Sequence, residues 1–481
     1  MVEAKVLIVG AGLGGLAIAL ELRRAGIDDF VILEKAADVG GVWRENTYPG
    51  AAVDVPSPYY SYAAEPNPEW PRRYSEQADI LAYIHDVVDR HALRRHIVFE
   101  TTVRSAAYDD ATGRWHVETG DEKYDAQFFV PATGQLSIPL LPKIPGLDSF
   151  AGPAFHSAQW DHSVDLAGKT VAVIGTGASA IQIIPKIQPE VGQLLVLQRS
   201  APYLLPRMDR EYGPRQHRVF RKYPVVQRGE RLFWWLFGEF WTFAVLGNPV
   251  VDRMFRATAA GMRALQIRDK TLRAKLTPDY PMGCKRVLFS SDYYPAVAAP
   301  NVRLETTGID AITATGIRTV DGAEHAVDVL VYGTGFATQE FLDSIEIRGA
   351  GGELLSQRWA DGARAYLGIA VPGFPNLLIM YGPNTNLGTG SIIYMLERQA
   401  RYIRGLIEEM GRRGMATATV RADVEQGYDD DVQARLGKTA WASCVSWYQS
   451  KSGRISSNWP RNVLAYSRRT ATVDLAEYEP A

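Results

Sequence analysis

Cysteine is almost missing: the 481 residues hold two, Cys284 and Cys444, with no CxxC and no Cys/His spacing suited to a metal. That excludes a zinc module and a disulfide framework, and it fits a reducing compartment, so a cytoplasmic location is expected. Surplus charge is lacking as well. Fifty-two Lys and Arg stand against 54 Asp and Glu, and no run of Lys or Arg stands apart from its surroundings. A nucleic-acid binder is therefore not expected, and small molecules are the expected partners. Apolar runs are too short for a membrane span. Residues 232–247 (LFWWLFGEFWTFAVLG) are interrupted by Glu239 and fall below the roughly 20 residues that cross a bilayer; they read as a buried helix of a cavity-lining domain. Residues 6–20 imitate a secretory signal core, yet they contain Gly10, Gly12, Gly14 and Gly15, each costing a helix interior about 1 kcal/mol relative to alanine.

What is present is 46% apolar residues, ample for several cores, arranged in a repeated βαβ pattern. Residues 5–9 (KVLIV) read as a buried strand, Gly10-x-Gly12-x-x-Gly15 as a tight turn, 16–25 as a helix and 30–33 as a second strand ending at Glu34. The pattern recurs with 170–174 (TVAVI), the turn Gly175-Thr176-Gly177-Ala178-Ser179-Ala180, a helix from Ile181, a strand over 194–197, then Arg199 and Ser200. The offset from Gly10 to Gly175 equals that from Glu34 to Arg199, so both copies keep one register. One glycine turn is weak evidence, because such turns also arise for conformational reasons alone. Two in register point to two dinucleotide sites. The first glycine makes the turn, the second lets backbone approach a pyrophosphate, and the third small residue, here Gly15 or Ala180, lets helix pack on strand. The helix N-terminus offers free N–H groups to the phosphates. Glu34 can accept hydrogen bonds from a ribose diol and would repel a 2′-phosphate, as the adenosine half of FAD requires. Arg199 beside Ser200 suits the 2′-phosphate of NADPH; an exposed arginine without a ligand is the alternative. Between about 207 and 280 the strands cease, and aromatic residues (Phe233, Trp234, Trp235, Phe237, Phe240, Trp241, Phe243) recur at helical spacing. The fold class is thus α/β, two Rossmann-like dinucleotide-binding domains with a helical insertion.

Disulfide reductases share this organisation but need a redox dithiol, and none is seen. The stretch Phe150-x-Gly152-x-x-x-His156-x-x-x-Trp160-Asp161 is more selective. It resembles the fingerprint of type I Baeyer–Villiger monooxygenases, a family of class B flavin-dependent monooxygenases. Further matches are 40–50 (GGVWRENTYPG), Asp54, 132–137 (ATGQLS), 280–286 (YPMGCKR) and 446–448 (SWY). The resemblance covers nearly the whole chain and thins between about 205 and 278. It implies an FAD domain built from 1–140 and 328–481, an NADPH domain from 141–206 and 281–327, and an insertion at 207–280. It also implies conversion of a ketone to an ester or lactone by O2 through a C4a-peroxyflavin. Arg286 matches the family's active-site arginine, Asp54 the carboxylate that positions it, Lys285 a 2′-phosphate ligand, Trp447 an aromatic residue near the nicotinamide nucleotide, and Trp43 a residue of the flavin-contacting loop.

The chemistry suits those types. A guanidinium keeps its proton in a dry site where lysine can lose it, so Arg286 offers fixed charge to an anionic oxygen. The alternatives are a turn carboxylate for Asp54, which precedes Val55-Pro56-Ser57-Pro58, and a surface or phosphate-binding role for Arg286. His156 is expected to couple domain movement rather than transfer a proton, with Phe150 and Trp160 as packing residues. The chain departs from the family at Gly333-Thr-Gly335, where the pattern has ATG, and after Trp447. The aromatic insertion suggests a bulky apolar substrate. Other readings of the same organisation are N- or S-oxygenation and a non-oxygenating NADPH-dependent reductase or sensor.

Overall fold

The apolar runs bordering the two glycine turns become central strands of two sheets. In the computed structural model, which describes residues 1–444, 448–450 and 452–480, Val2–Val9 runs parallel to Phe30–Leu33 on one side and Lys123–Pro131 on the other. Ile97–Val98 extends the sheet beyond Phe30–Leu33, and Arg114–Glu118, Ser105–Asp109 and Glu346–Arg348 complete its seven strands. Val6, Leu7 and Ile8 are wholly buried, as a strand covered on both faces must be. The second sheet is five parallel strands, ordered Val302–Glu305, Gln193–Leu197, Thr170–Ile174, Val329–Tyr332, Ala154–His156. Helix Leu13–Arg24 follows the first turn and helix Ala178–Ile187 the second. Helix Ile392–Arg413 packs on Leu13–Arg24, so the C-terminal part of the chain covers the first sheet.

One expected boundary falls a strand early. Residues 328 onward were to join the first unit, but Val329–Tyr332 is buried between Thr170–Ile174 and Ala154–His156 in the second sheet. The chain leaves that sheet only at Gly333, where glycine replaces the apolar run. The two crossings between sheets then run side by side. Leu140 N–H donates to Gly335 O (2.9 Å) and Ala337 N–H to Ile138 O (3.0 Å), with Pro139 bridged antiparallel to Phe336. His156, buried, places Nε2 2.9 Å from Gly335 O while Nδ1 accepts from Ala158 N–H (3.1 Å). Burial lowers its pKa, so the ring stays neutral and stitches the second sheet to the crossing.

Two other expectations are corrected. Cys284 and Cys444 are joined in a disulfide, with Cα atoms 6.1 Å apart; partners 160 residues apart leave no mark on sequence spacing. The insertion forms helices Pro214–Lys222, Pro224–Val245, Pro249–Gln266 and Lys270–Lys275, but the aromatic helix is not buried. Trp234, Trp241, Ala244 and Val245 face the core, whereas Leu232, Phe233, Leu236, Phe240 and Phe243 face outward. Apolar residues occupy both faces of this helix and only one face meets the core. Phe233, Phe240 and Phe243 turn to the outer surface rather than to the core. Among the described residues no helix is long and apolar enough to cross a membrane.

Candidate active site

The first glycine turn is closed by steric necessity. Gly10 has φ +103°, and a Cβ there would lie 2.8 Å from Ala132 O; a Cβ on Gly15 would lie 1.9 Å from Gly10 O. Gly41, on the following loop, comes so close that its Cβ would stand 3.2 Å from Gly12 Cα. Glu34, 4% exposed, accepts the N–H of Ala11 (2.7 Å) and of Ala36 (3.0 Å). Its carboxylate oxygens keep further lone pairs for a ribose. Trp43 donates from Nε1 to the Tyr60 hydroxyl at 3.1 Å and meets that ring edge-on.

At the second turn Gly175 has φ +110°, and its Cβ would lie 2.4 Å from Gly333 O, but a Cβ on Gly177 would meet nothing within 4 Å. The extra methyl of Ala180 is accommodated by Gly333, whose own Cβ would stand 3.2 Å from it. That pairing gives a physical reason for glycine where the family pattern has alanine. Thr176 donates to Ser200 O (3.0 Å), Lys285 Nζ donates to Ser200 Oγ (2.7 Å) and lies 4.5 Å from the centre of the Tyr280 ring. Ser179, in the first turn of its helix, hydrogen-bonds Tyr48. Arg199 is exposed. Burial and then the charge of Arg199 lower the pKa of Lys285. Two cations thus lie close enough to repel each other, one of them bonded to Ser200 Oγ, and neither forms an ion pair among the described residues.

Between the turns, Arg286 reaches across from the segment after the insertion to Asp54. Nη2 and Nε donate to the same Oδ2 at 2.6 and 3.1 Å. The loop carrying Asp54 is fixed on both sides. Val53 N–H donates to Ser75 O (3.1 Å), Arg207 Nη2 to Val53 O (3.3 Å), Tyr48 to Gln182 Oε1 (2.9 Å) and Gln182 Nε2 to Ala52 O (2.9 Å). Asp54 raises the pKa of Arg286 despite burial, which makes this a permanent cation. The two side chains remain 32% and 27% exposed, so the pair is open to a third group.

Comparison with known proteins decides the family. Residues 7–201 match the model described as pyridine nucleotide-disulphide oxidoreductase. A Baeyer–Villiger monooxygenase of Streptomyces coelicolor is 43% identical over 480 residues, covering 99% of this chain and 92% of that protein. Another, from Pseudomonas aeruginosa, is 41% identical over 99% of this chain and 91% of its own length. The chain belongs to the Baeyer–Villiger monooxygenase family. A crystal structure of OTEMO in complex with FAD and NADP aligns with a TM-score of 0.89 at 28% identity, covering 99% of both chains.

Within this Baeyer–Villiger monooxygenase fold, two residues around the Arg286–Asp54 pair, Tyr60 and Tyr381, escaped the sequence reading, and a third, Tyr448, entered it only as part of the 446–448 match, without a role. Tyr60, Tyr381 and Tyr448 lie close enough to couple electrostatically to Arg286. Burial pushes Tyr60 and Tyr448 up to about 12 and raises Tyr381 too, so all three stay neutral hydroxyls. Tyr381 donates to Asn386 Oδ1 (2.9 Å) from a residue with φ +59°. Its one sequence signal is the apolar run 377–380 broken by Tyr-Gly-Pro. Trp447 lies outside the described residues. No group of His, Cys, Asp and Glu among the described residues could hold a metal.

Proposed function

We propose that this chain is an FAD-containing, NADPH- and O2-dependent Baeyer–Villiger monooxygenase that converts a ketone to an ester or lactone, and that Arg286 and Asp54 are its catalytic pair. The observation that carries this reading is the carboxylate-fixed guanidinium, with Asp54 following a loop that touches the first glycine turn at Gly12 and the helix after the second at Gln182. FAD fits the first turn: Gly10, Gly12, Gly15 and Glu34 form a cradle in which a Cβ on Gly10 or Gly15 would collide with backbone, and Trp43 belongs to the loop beside it. NADPH fits the second, where Gly175, Thr176, Gly177, Ser179 and Ala180 form the turn. There Arg199, Ser200 and Lys285 gather positive charge suited to a 2′-phosphate, and Trp447 belongs to the same reading. Reduced by NADPH, bound FAD supplies the electrons that activate O2.

The protein's own part is placement and charge. Arg286 holds positive charge where the transferring oxygen and the ketone oxygen become negative. Asp54 prevents the guanidinium from rotating away, and its two-point bond to one oxygen leaves Nη1 directed elsewhere. Tyr60, Tyr381 and Tyr448 provide neutral hydroxyls that orient polar groups without cancelling the cation. The first domain would comprise 1–140 and the C-terminal part, the second 141–206 and 281 to the end of Val329–Tyr332, with 207–280 inserted. A cytoplasmic location, where NADPH is supplied, belongs to this reading.

The test is direct. Purified protein should be yellow, and ketones should yield esters only with NADPH and O2, each ester carrying one oxygen-18 from labelled O2. Colourless protein that takes up no flavin, or N- and S-oxides without any ester, would overturn the proposal.

A further inference from the structure

The aromatic helix of the insertion is built inside out. Three of its polar side chains turn inward: Arg231 donates to the carbonyls of Pro58 (3.0 Å), Tyr59 (3.3 Å) and Ser61 (2.8 Å), Glu239 accepts Val463 N–H (2.9 Å), and Thr242 bonds Thr389 (2.6 Å). Outward it presents Val225, Leu232, Phe233, Leu236, Phe240 and Phe243, spaced three, four or seven apart or side by side, with exposures from 44% at Phe240 to 70% at Val225. From Leu232 to Val245 no charged side chain interrupts that face. The 22 residues span about 33 Å. Exposed Val219 and Tyr223 continue the surface before this helix, and Val250 and Met254 continue it on the next. A contiguous apolar strip of this length on a soluble surface marks an interaction site.

Charge identifies the occupant. Residues 214–275 carry thirteen Lys and Arg against four Asp and Glu, in a chain whose net charge is −2. Arg215, Arg218, Arg228 and Arg253 are exposed, make no ion pair among the described residues, and each lies within one helical turn of an exposed apolar residue. We propose that this face docks on the surface of an anionic lipid bilayer, the apolar strip entering the headgroup–acyl boundary while the arginines meet lipid phosphates and carboxylates. A second copy is disfavoured, because a symmetric contact would set the two most basic regions of the molecule against each other. Crossing is not involved, since no helix among the described residues is long and apolar enough.

Flotation of the flavin-loaded full chain with phosphatidylcholine vesicles, with and without phosphatidylserine, tests this. Strong retention is expected only on the anionic vesicles, and it should weaken as salt rises to about 0.5 M. Leu236→Glu with Phe240→Glu should lower the affinity at least about tenfold. Each of Arg218→Gln, Arg228→Gln and Arg253→Gln should lower it about fivefold on anionic vesicles. Flavin content per chain must match the unaltered protein in every variant, which these exposed positions permit. Absence of retention on either vesicle, or retention unchanged in both sets of variants, overturns the proposal. So does a dimer in solution, seen by light scattering, that Leu236→Glu dissociates, because the face then belongs to a second copy.

Discussion

At the second glycine of the first turn, Gly12, a methyl would stand 3.6 Å from Gly41 Cα; at the same register in the second turn, a methyl on Gly177 would meet nothing within 4 Å. The acid that ends the first βαβ unit, Glu34, is 4% exposed and bonded to its own turn, whereas the base at the same register in the second, Arg199, is exposed and forms no ion pair among the described residues. One local structure has been given two surroundings. A closed turn suits a group that stays bound through many turnovers, and an open one suits a nucleotide that must arrive and leave.

The largest effect should come from filling the closed turn. Gly15→Ala should yield no soluble yellow protein, judged by flavin absorbance after purification, because backbone must move to admit the methyl. Gly177→Ala should instead fold with full flavin and lose only affinity for NADPH; loss of flavin there would erase the contrast. Next is the group shared by both sites. Arg286→Ala should keep its flavin and its reduction by NADPH in stopped flow, but lose ester formation by on the order of 10²-fold or more. Normal product yield would remove Arg286 from the mechanism. Arg199→Ala should weaken NADPH by about tenfold or more and leave NADH little changed, since only NADPH carries the 2′-phosphate; equal losses would contradict the assignment of the second turn. The smallest effect is a pH dependence. As the proposed 2′-phosphate ligand, protonated Lys285 would attract the phosphate, and burial with the nearby Arg199 lowers its pKa, so NADPH affinity should fall as pH rises into the range where an ordinary lysine still holds its proton. Lys285→Arg should flatten that slope in a titration.

Much of this was legible in the chain because it is local. Turn glycines, strand ends and the small residues at 15 and 180 are dictated by neighbours in sequence, and the family resemblance located Asp54 and Arg286. What stayed hidden depends on distant partners. The Cys284–Cys444 bond, the ring of Tyr60, Tyr381 and Tyr448, and the compensation of Ala180 by Gly333 each join segments that no period connects. The aromatic helix misled for another reason: residues apolar on both sides of a helix say that both faces avoid water, not which one finds the interior. The strand at 329–332 was assigned to the wrong sheet because an apolar run does not name its neighbours.

The paired crossings at Ile138–Leu140 and Gly335–Ala337 have a mechanical meaning. Two connecting segments laced together by main-chain bonds and pinned by His156 resist sliding past each other, so the two crossings act as one tie between the sheets. Asp54 comes from the part of the chain that builds the first sheet and Arg286 from the part that builds the second, so the cation and its anchor are contributed by the two segments these crossings join.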